Sequence, residues 1–303
     1  FTGPSEQQGY KNFKRDPRFT DPWSTRIGVY ALVVFFPATI VVYYIFHLDR
    51  APYTNRLRMI DMSKDREYAM GHAYYHKILS GQRVLPKNHA ASQLVSRVGM
   101  NIAKASGEQL PWEFAVVDAP LVNAMCLPGG KVVVFRGLLE AFNYEEQAVA
   151  VVLAHECAHA IARHSAEQVG FINILLWGQM VLYSLFQVPM TGAVAHLAFQ
   201  LPFSRKLELE ADKIALTLLA RTCKYAPSSA PDVFRQLEQV SARGPKSAHG
   251  RAFEDFMSTH PSSEARVRKL LEAIPAAETL RQEQCGGAGQ FEQFTDKASS
   301  PWA

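Results

Sequence analysis

Residues 151–164 read VVLAHECAHAIARH, and the fold follows from how this stretch is read. It has no proline or glycine, and its apolar residues continue a run that begins near Val149, so a helix is expected through it. Side chains four residues apart share one face of a helix, so His155 and His159 can close on a single tetrahedral ion. Glu156 is turned away from them by about a quarter of the helix circumference. It is poorly placed to ligate, but well placed to take a proton from water on the metal. With 10 His and 28 acidic residues in 303 positions, two His and one acid at these offsets arise by chance on the order of 0.03 times per chain. The pair His72 and His76 has the same spacing but carries Ala73 in the acid's place, and reads as structural.

A catalytic zinc takes three protein ligands and leaves one position open for water. Downstream, Glu208-Leu209-Glu210-Ala211-Asp212 lies on an expected helix from about 207 to 219, with Ala211, Ile214, Ala215 and Leu218 on one face. Spacing alone leaves Glu208 and Glu210 both open as the third ligand. Asp212 is one turn beyond Glu208, suited to accept a ring N–H from a ligand histidine.

Working back from His155, Asn143 and Glu146 have the spacing of a capping box that would open the metal-site helix. KVVVF (Lys131–Phe135) and WEFAVVD (Trp112–Asp118) are β-branched and aromatic, and read as strands. Pro128-Gly129-Gly130 is turn chemistry. Helices are expected from Ser63 to Leu79, through Leu94, Val98 and Ile102, and from Pro261 through Val267, Leu270 and Ile274. The implied fold class is α+β, mostly helical, with a small β-sheet.

The stretch 27–46, IGVYALVVFFPATIVVYYIF, carries no charge. At ~1.5 Å per residue it covers ~30 Å, the thickness of a bilayer's hydrocarbon core. Trp23, Tyr30, Tyr43 and Tyr44 fall towards its ends, where amphipathic rings favour the interface. The expected organisation is a tail over 1–25, one transmembrane helix over 26–47, a helical connector over 48–90, a domain carrying the metal site over 91–275 and a tail over 276–303. The apolar segment Phe171–Phe186 is short for a span; it is expected to dip into the membrane interface or to cap the site. Phe1 in place of Met implies a leader removed or outside the numbering.

Hydrophobic residues make up 48% and charged residues 20% of the chain, which excludes a disordered tail. A net charge of +4 without a basic stripe argues against nucleic acid as partner. Cys126, Cys157, Cys223 and Cys285 form no C-x-x-C pair, and free thiols are the expectation over a Cys223–Cys285 bridge.

HECAH followed by E-x-x-A-D resembles the gluzincin family of HtpX-like and CAAX-prenyl-protease-like membrane metallopeptidases. NAMCLPGGKVVVFRGLL (Asn123–Leu139), HECAHAIARHSAEQ (His155–Gln168), PFSRKLELEAD (Pro202–Asp212) and STHPSSEAR (Ser258–Arg266) are similar to its mitochondrial OMA-type branch. The resemblance implies a zincin-like domain with zinc held by His155, His159 and Glu208, and Asp212 supporting a ligand. It implies that β-strand KVVVF is a sheet edge to which a peptide adds, with Asn123, Gly130, Val132 and Val133 binding substrate. It also implies that His260 approaches the substrate or oxyanion, with Arg266 supporting it. His164 and Glu167 match family positions and read as structural.

The expected activity is therefore zinc-dependent endopeptidase cleavage of membrane or membrane-associated proteins, with Glu156 assisting attack by zinc-bound water. A peptidase-fold scaffold subunit that does not use the site is the alternative. The expected partners are protein or peptide substrates, the lipid bilayer, and further copies of the chain or a larger membrane complex. The expected location is the mitochondrial inner membrane, with the catalytic domain facing the intermembrane space; a bacterial envelope is the alternative.

Overall fold

The structure is a computed structural model and describes residues 22–186, 202–243, 256, 260 and 264–298. The chain divides into two units, Phe1–His47 and Leu48–Ala303. In the first, α1 (Pro22–Phe46) is one helix through Pro37. It begins four residues earlier than the span expected over 26–47, and Tyr30, Phe35, Val41, Ile45 and Phe46 along it are exposed. Among the described residues no helix is long and apolar enough to cross a membrane. The side chains described in α1 are Tyr30 and those from Val34 onward, so the expected span falls partly outside them. The expected tail lies outside them as far as residue 21, as does the helix start at Pro261.

The second unit opens with a hairpin of β1 (Leu48–Arg50) and β2 (Leu57–Met59), paired antiparallel. Helices α2 (Lys64–Ser80) and α3 (Ala90–Ser106) follow, the first capped by the Ser63 hydroxyl and the second ended by left-handed Gly107. The three-stranded sheet comprises β3 (Glu113–Val117), β4 (Ala124–Leu127) and β5 (Lys131–Phe135), in the order β3-β5-β4. β5 runs parallel to β3 and antiparallel to β4, with Cys126 opposite Val132. Gly129 and Gly130, at φ of +77° and +78°, make the turn between β4 and β5.

This order corrects the expectation that KVVVF is a sheet edge: β5 is the central strand, with neighbours on both sides. The run is apolar at successive positions because both faces of the strand are covered. Val133 and Phe135 meet Tyr75, Ile78 and Leu79 of α2, whereas Val132 and Val134 join the main core.

That core is built by α3, by α5 (Glu146–Ile161) and by α7 (Pro202–Thr222). A short α4 (Arg136–Ala141) leads into α5. Val98, Ile102, Val152, Leu153, Ile214 and Leu218 are all fully buried, and each such side chain contributes roughly 1.5–3 kcal/mol. The capping box does not form. Asn143 and Tyr144 take left-handed φ of 49° and 59°, and Glu145 is the N-cap without a side-chain bond. Glu146 is engaged elsewhere, by Arg97 at 2.8 Å and by the Tyr225 hydroxyl at 2.8 Å.

α6 (His164–Phe186) continues the chain after α5 and includes the whole apolar stretch from Phe171, with Trp177, Met180 and Tyr183 exposed. α8 (Ala230–Arg243) and α9 (Glu264–Ala298) complete the unit. α9 runs on through the region expected to be a tail and packs along α7. There Cys285 is disulfide-bonded to Cys223, with Cα atoms 5.6 Å apart, in place of the free thiols expected. A sequence separation of 62 residues conceals that proximity. Cys126 and Cys157 are free.

Candidate metal centre

α5 is buried on nearly every side, so a polar side chain on it must find a partner or carry a desolvation cost. His155 and Glu156 of α5 are both buried. His155 turns Nε2 towards Glu208 Oε2 at 3.2 Å, and His159 turns Nε2 towards Glu208 Oε1 at 3.5 Å. The two Nε2 atoms are 3.2 Å apart. His260 enters from the far end of the chain, with Nδ1 3.1 Å from both Glu208 oxygens and 3.4 Å from His155 Nε2. Its ring stacks on Phe256, which also packs against His155.

One ligand atom from each of His155, His159, Glu208 and His260 lies within 4.8 Å of the others. Among the described residues no other group of three or more His, Cys, Asp or Glu side chains is so placed. Two imidazoles and a carboxylate, with a third imidazole beside them, form a donor set suited to zinc. The exposed pair His72 and His76 stands apart, its Nε2 atoms 3.0 Å from each other.

The two acids left open by spacing are separated by geometry. Glu208 faces His155, His159 and His260, whereas Glu210 is taken up by Arg56 Nε, which donates at 2.7 Å, by the Thr54 hydroxyl, which also donates, and by His164 Nε2 at 3.2 Å. Asp212 Oδ1 lies 3.0 Å from His155 Nδ1, and Arg266 donates to both its oxygens at 2.6 and 2.8 Å. Arg266 also reaches Glu208 at 3.1 Å and the His260 carbonyl at 3.3 Å.

Glu156 is divided between two environments. Its Oε2 accepts the Cys126 backbone N–H at 2.9 Å, while Oε1 is buried with no hydrogen-bond partner among the described residues and faces His260 Nε2 at 3.4 Å. That amide of β4 is a contact the sequence could not signal, because it depends on backbone placement and not on the residue type.

The electrostatics follow from burial and these partners. Burial raises the Glu156 carboxyl above its ordinary value, with the charges of His260 and His155 opposing. Glu208 is held far below the carboxylate range: burial works against this, but His260, His159 and His155 outweigh it. Burial also opposes charge on His155, yet its bonds to Asp212 and Glu208 push it up to about 9. A proton and a metal ion therefore compete for this nitrogen. Burial drives His159 well below its usual value.

The residues expected to bind substrate are not brought together as a surface. Asn123, Val132 and Val133 are buried, the Asn123 carbonyl accepts from Phe135, and Gly130 sits in the β4–β5 turn against Trp112. The strand beside Glu156 is β4.

Comparison with known proteins matches a family model, Peptidase family M48, to residues 88–274. The chain is 40% identical over 248 residues to mitochondrial metalloendopeptidase OMA1 of Schizosaccharomyces pombe, covering 80% of this chain and 71% of that protein. It is 42% identical over 188 residues to mitochondrial metalloendopeptidase OMA1 of Arabidopsis thaliana, covering 60% of this chain and 36% of that one. Against the human mitochondrial metalloendopeptidase OMA1 the identity is 31% over 281 residues, covering 86% of this chain and 51% of the human protein.

Proposed function

Because this chain belongs to peptidase family M48, as an OMA1-type zinc metalloendopeptidase, we propose that it cleaves membrane or membrane-associated proteins with Glu156 as the catalytic base. One observation carries this reading. His155, His159 and Glu208 converge, while the adjacent Glu156 keeps a buried carboxylate oxygen without a hydrogen-bond partner among the described residues.

His155 and His159, through Nε2, and the Glu208 carboxylate would hold the zinc. When bound, zinc would act as a Lewis acid and lower the pKa of the water it holds to about 7. Glu156 takes the proton of the attacking water at Oε1 and passes it to the leaving amine, while the Cys126 amide fixes Oε2. The raised affinity of Glu156 for protons suits that transfer. His260, beside Glu156 and Glu208, donates to the oxyanion as it develops, a contribution of roughly 3–4 kcal/mol for a well-placed donor. Asp212 and Arg266 keep the His155 ring in register.

The substrate chain adds as an extended strand along the outer edge of β4, the side on which the Cys126 amide meets Glu156. Exposed Phe35, Val41, Ile45 and Phe46 on α1 support a membrane anchor. The names of the relatives support a mitochondrial location, which we place at the inner membrane with the catalytic unit in the intermembrane space.

Purified protein should contain about one zinc per chain and cleave an unstructured peptide, with loss of cleavage in a chelator and recovery on zinc addition. Cleavage that survives complete zinc removal would overturn the reading. Deleting 27–46 should release the protein from membranes on alkaline extraction.

A further inference from the structure

We propose that His164 is a positioning residue for His159, acting through a relay that runs His159–His164–Glu210–Arg56. The inference rests on the reading that His159 holds zinc through Nε2. That nitrogen faces Glu208 and His155, so the opposite nitrogen of the ring, Nδ1, must be held from outside. For His155 the outer partner is a carboxylate, Asp212. For His159 it is another imidazole: His164 Nδ1 lies 2.9 Å from His159 Nδ1.

Five residues along an unbroken helix is a rotation of about 140°, which would point the two rings apart. The contact exists because Arg163, at φ of 51°, breaks the helix between α5 and α6. Glu67 at 2.6 Å and the Met62 carbonyl at 2.7 Å clamp the Arg163 side chain and hold that turn. Beyond His164 the chain of partners continues. His164 Nε2 lies 3.2 Å from Glu210 Oε2. Glu210 is bound by Thr54 and Arg56, and Arg56 also forks onto Glu167 at 2.7 and 2.6 Å.

The donor pattern has one consistent direction. A His159 ring that ligates through Nε2 carries its proton on Nδ1 and donates it to His164 Nδ1. His164 then carries its own proton on Nε2 and donates to the Glu210 carboxylate. Replacing His164 removes the acceptor and frees the His159 ring to rotate, as outer-partner loss does at other zinc sites, at a cost of roughly 10–100-fold in metal affinity.

The test uses the full chain in detergent, with zinc affinity measured by chelator competition and the ligand field read from Co(II) absorption. His164→Leu should weaken zinc binding roughly 10–100-fold and shift the Co(II) bands. His164→Asn, which can offer an oxygen near the Nδ1 position, should recover most of the affinity. Zinc binding by folded His164→Leu within about twofold of the parent would overturn the proposal. If that variant does not fold, 15N spectra of the imidazoles in the zinc-loaded parent decide. A proton on Nε2 and none on Nδ1 of His164 supports the relay, and the reverse tautomer or a doubly protonated ring overturns it. Failure of the parent itself to bind zinc would sink the functional reading instead, and is distinguishable from either result.

Discussion

Arg266 grips Asp212 in a two-pronged contact, Nε to Oδ2 at 2.6 Å and Nη2 to Oδ1 at 2.8 Å, and Asp212 in turn stands 3.0 Å from His155 Nδ1. The arginine and the carboxylate are both buried, so neither can lose the other cheaply. Asp212→Asn keeps the shape but removes the charge, and should lower zinc affinity roughly 10–100-fold, read by chelator competition. Arg266→Met strands a buried carboxylate, and should cost about 3–5 kcal/mol in denaturant unfolding of the metal-free protein. A cost below ~1 kcal/mol would show that Asp212 finds another partner.

Glu156→Gln separates binding from chemistry. The amide fills the same volume and can still accept the Cys126 N–H, but cannot take a proton from water. Zinc content should match the parent, while peptide cleavage falls by at least the 10²–10⁴-fold typical of lost general-base catalysis. A variant that cleaves near the parental rate would remove Glu156 from its assigned role.

Glu210 gives a pH dependence whose sign is fixed by its partners. Burial opposes its charge, but His164, Arg56 and Thr54 prevail and hold its pKa at about 2, below the ordinary 4.5. A folded-state pKa below the unfolded one contributes stability above pH 4.5, lost as pH falls towards 2. Glu210→Gln should therefore be less stable than the parent at neutral pH, with the gap closing between pH 4.5 and 2. Chemical denaturation of both proteins across that range is the measurement. A gap that stays constant would show that the charge of Glu210 does not carry the effect.

These tests also separate what is legible in a single sequence from what is not. His155 and His159 could be paired from helical spacing, since both lie on one continuous element and the i,i+4 relation is local. The helices around Leu94 and Leu207 follow from periodicity in the same way, and the strand Lys131–Phe135 from its β-branched and aromatic residues. Glu208 and Glu210 could not be told apart by spacing, because the choice depends on the roll of α7 against α5. Only the Arg56–Thr54 side of the helix shows that Glu210 is already occupied. KVVVF reads as a strand but not as a central one, since neighbours on either side leave no mark within its five residues. His164 is hidden for a related reason: its contact with His159 depends on a left-handed Arg163, a conformation uncommon for a residue with a β-carbon.

The Cys223–Cys285 bond makes the most global prediction, because it ties the end of α7 to α9 across 62 residues of chain. Closing a loop of this size restricts the unfolded ensemble, and loop-entropy estimates run from ~3 kcal/mol for 15 residues to ~4.7 kcal/mol for 100. Measured gains usually fall nearer 2–4 kcal/mol. At roughly 2–4 °C per kcal/mol for a domain of this size, Cys223→Ser should lower Tm by about 5–15 °C. Cys285→Ser should lower it by the same amount, and so should the double variant, because all three remove one and the same bond. Addition of a thiol reductant should bring the parent to that Tm and leave all three variants unchanged. Single variants whose losses add in the double variant would show two independent packing effects in place of a cross-link.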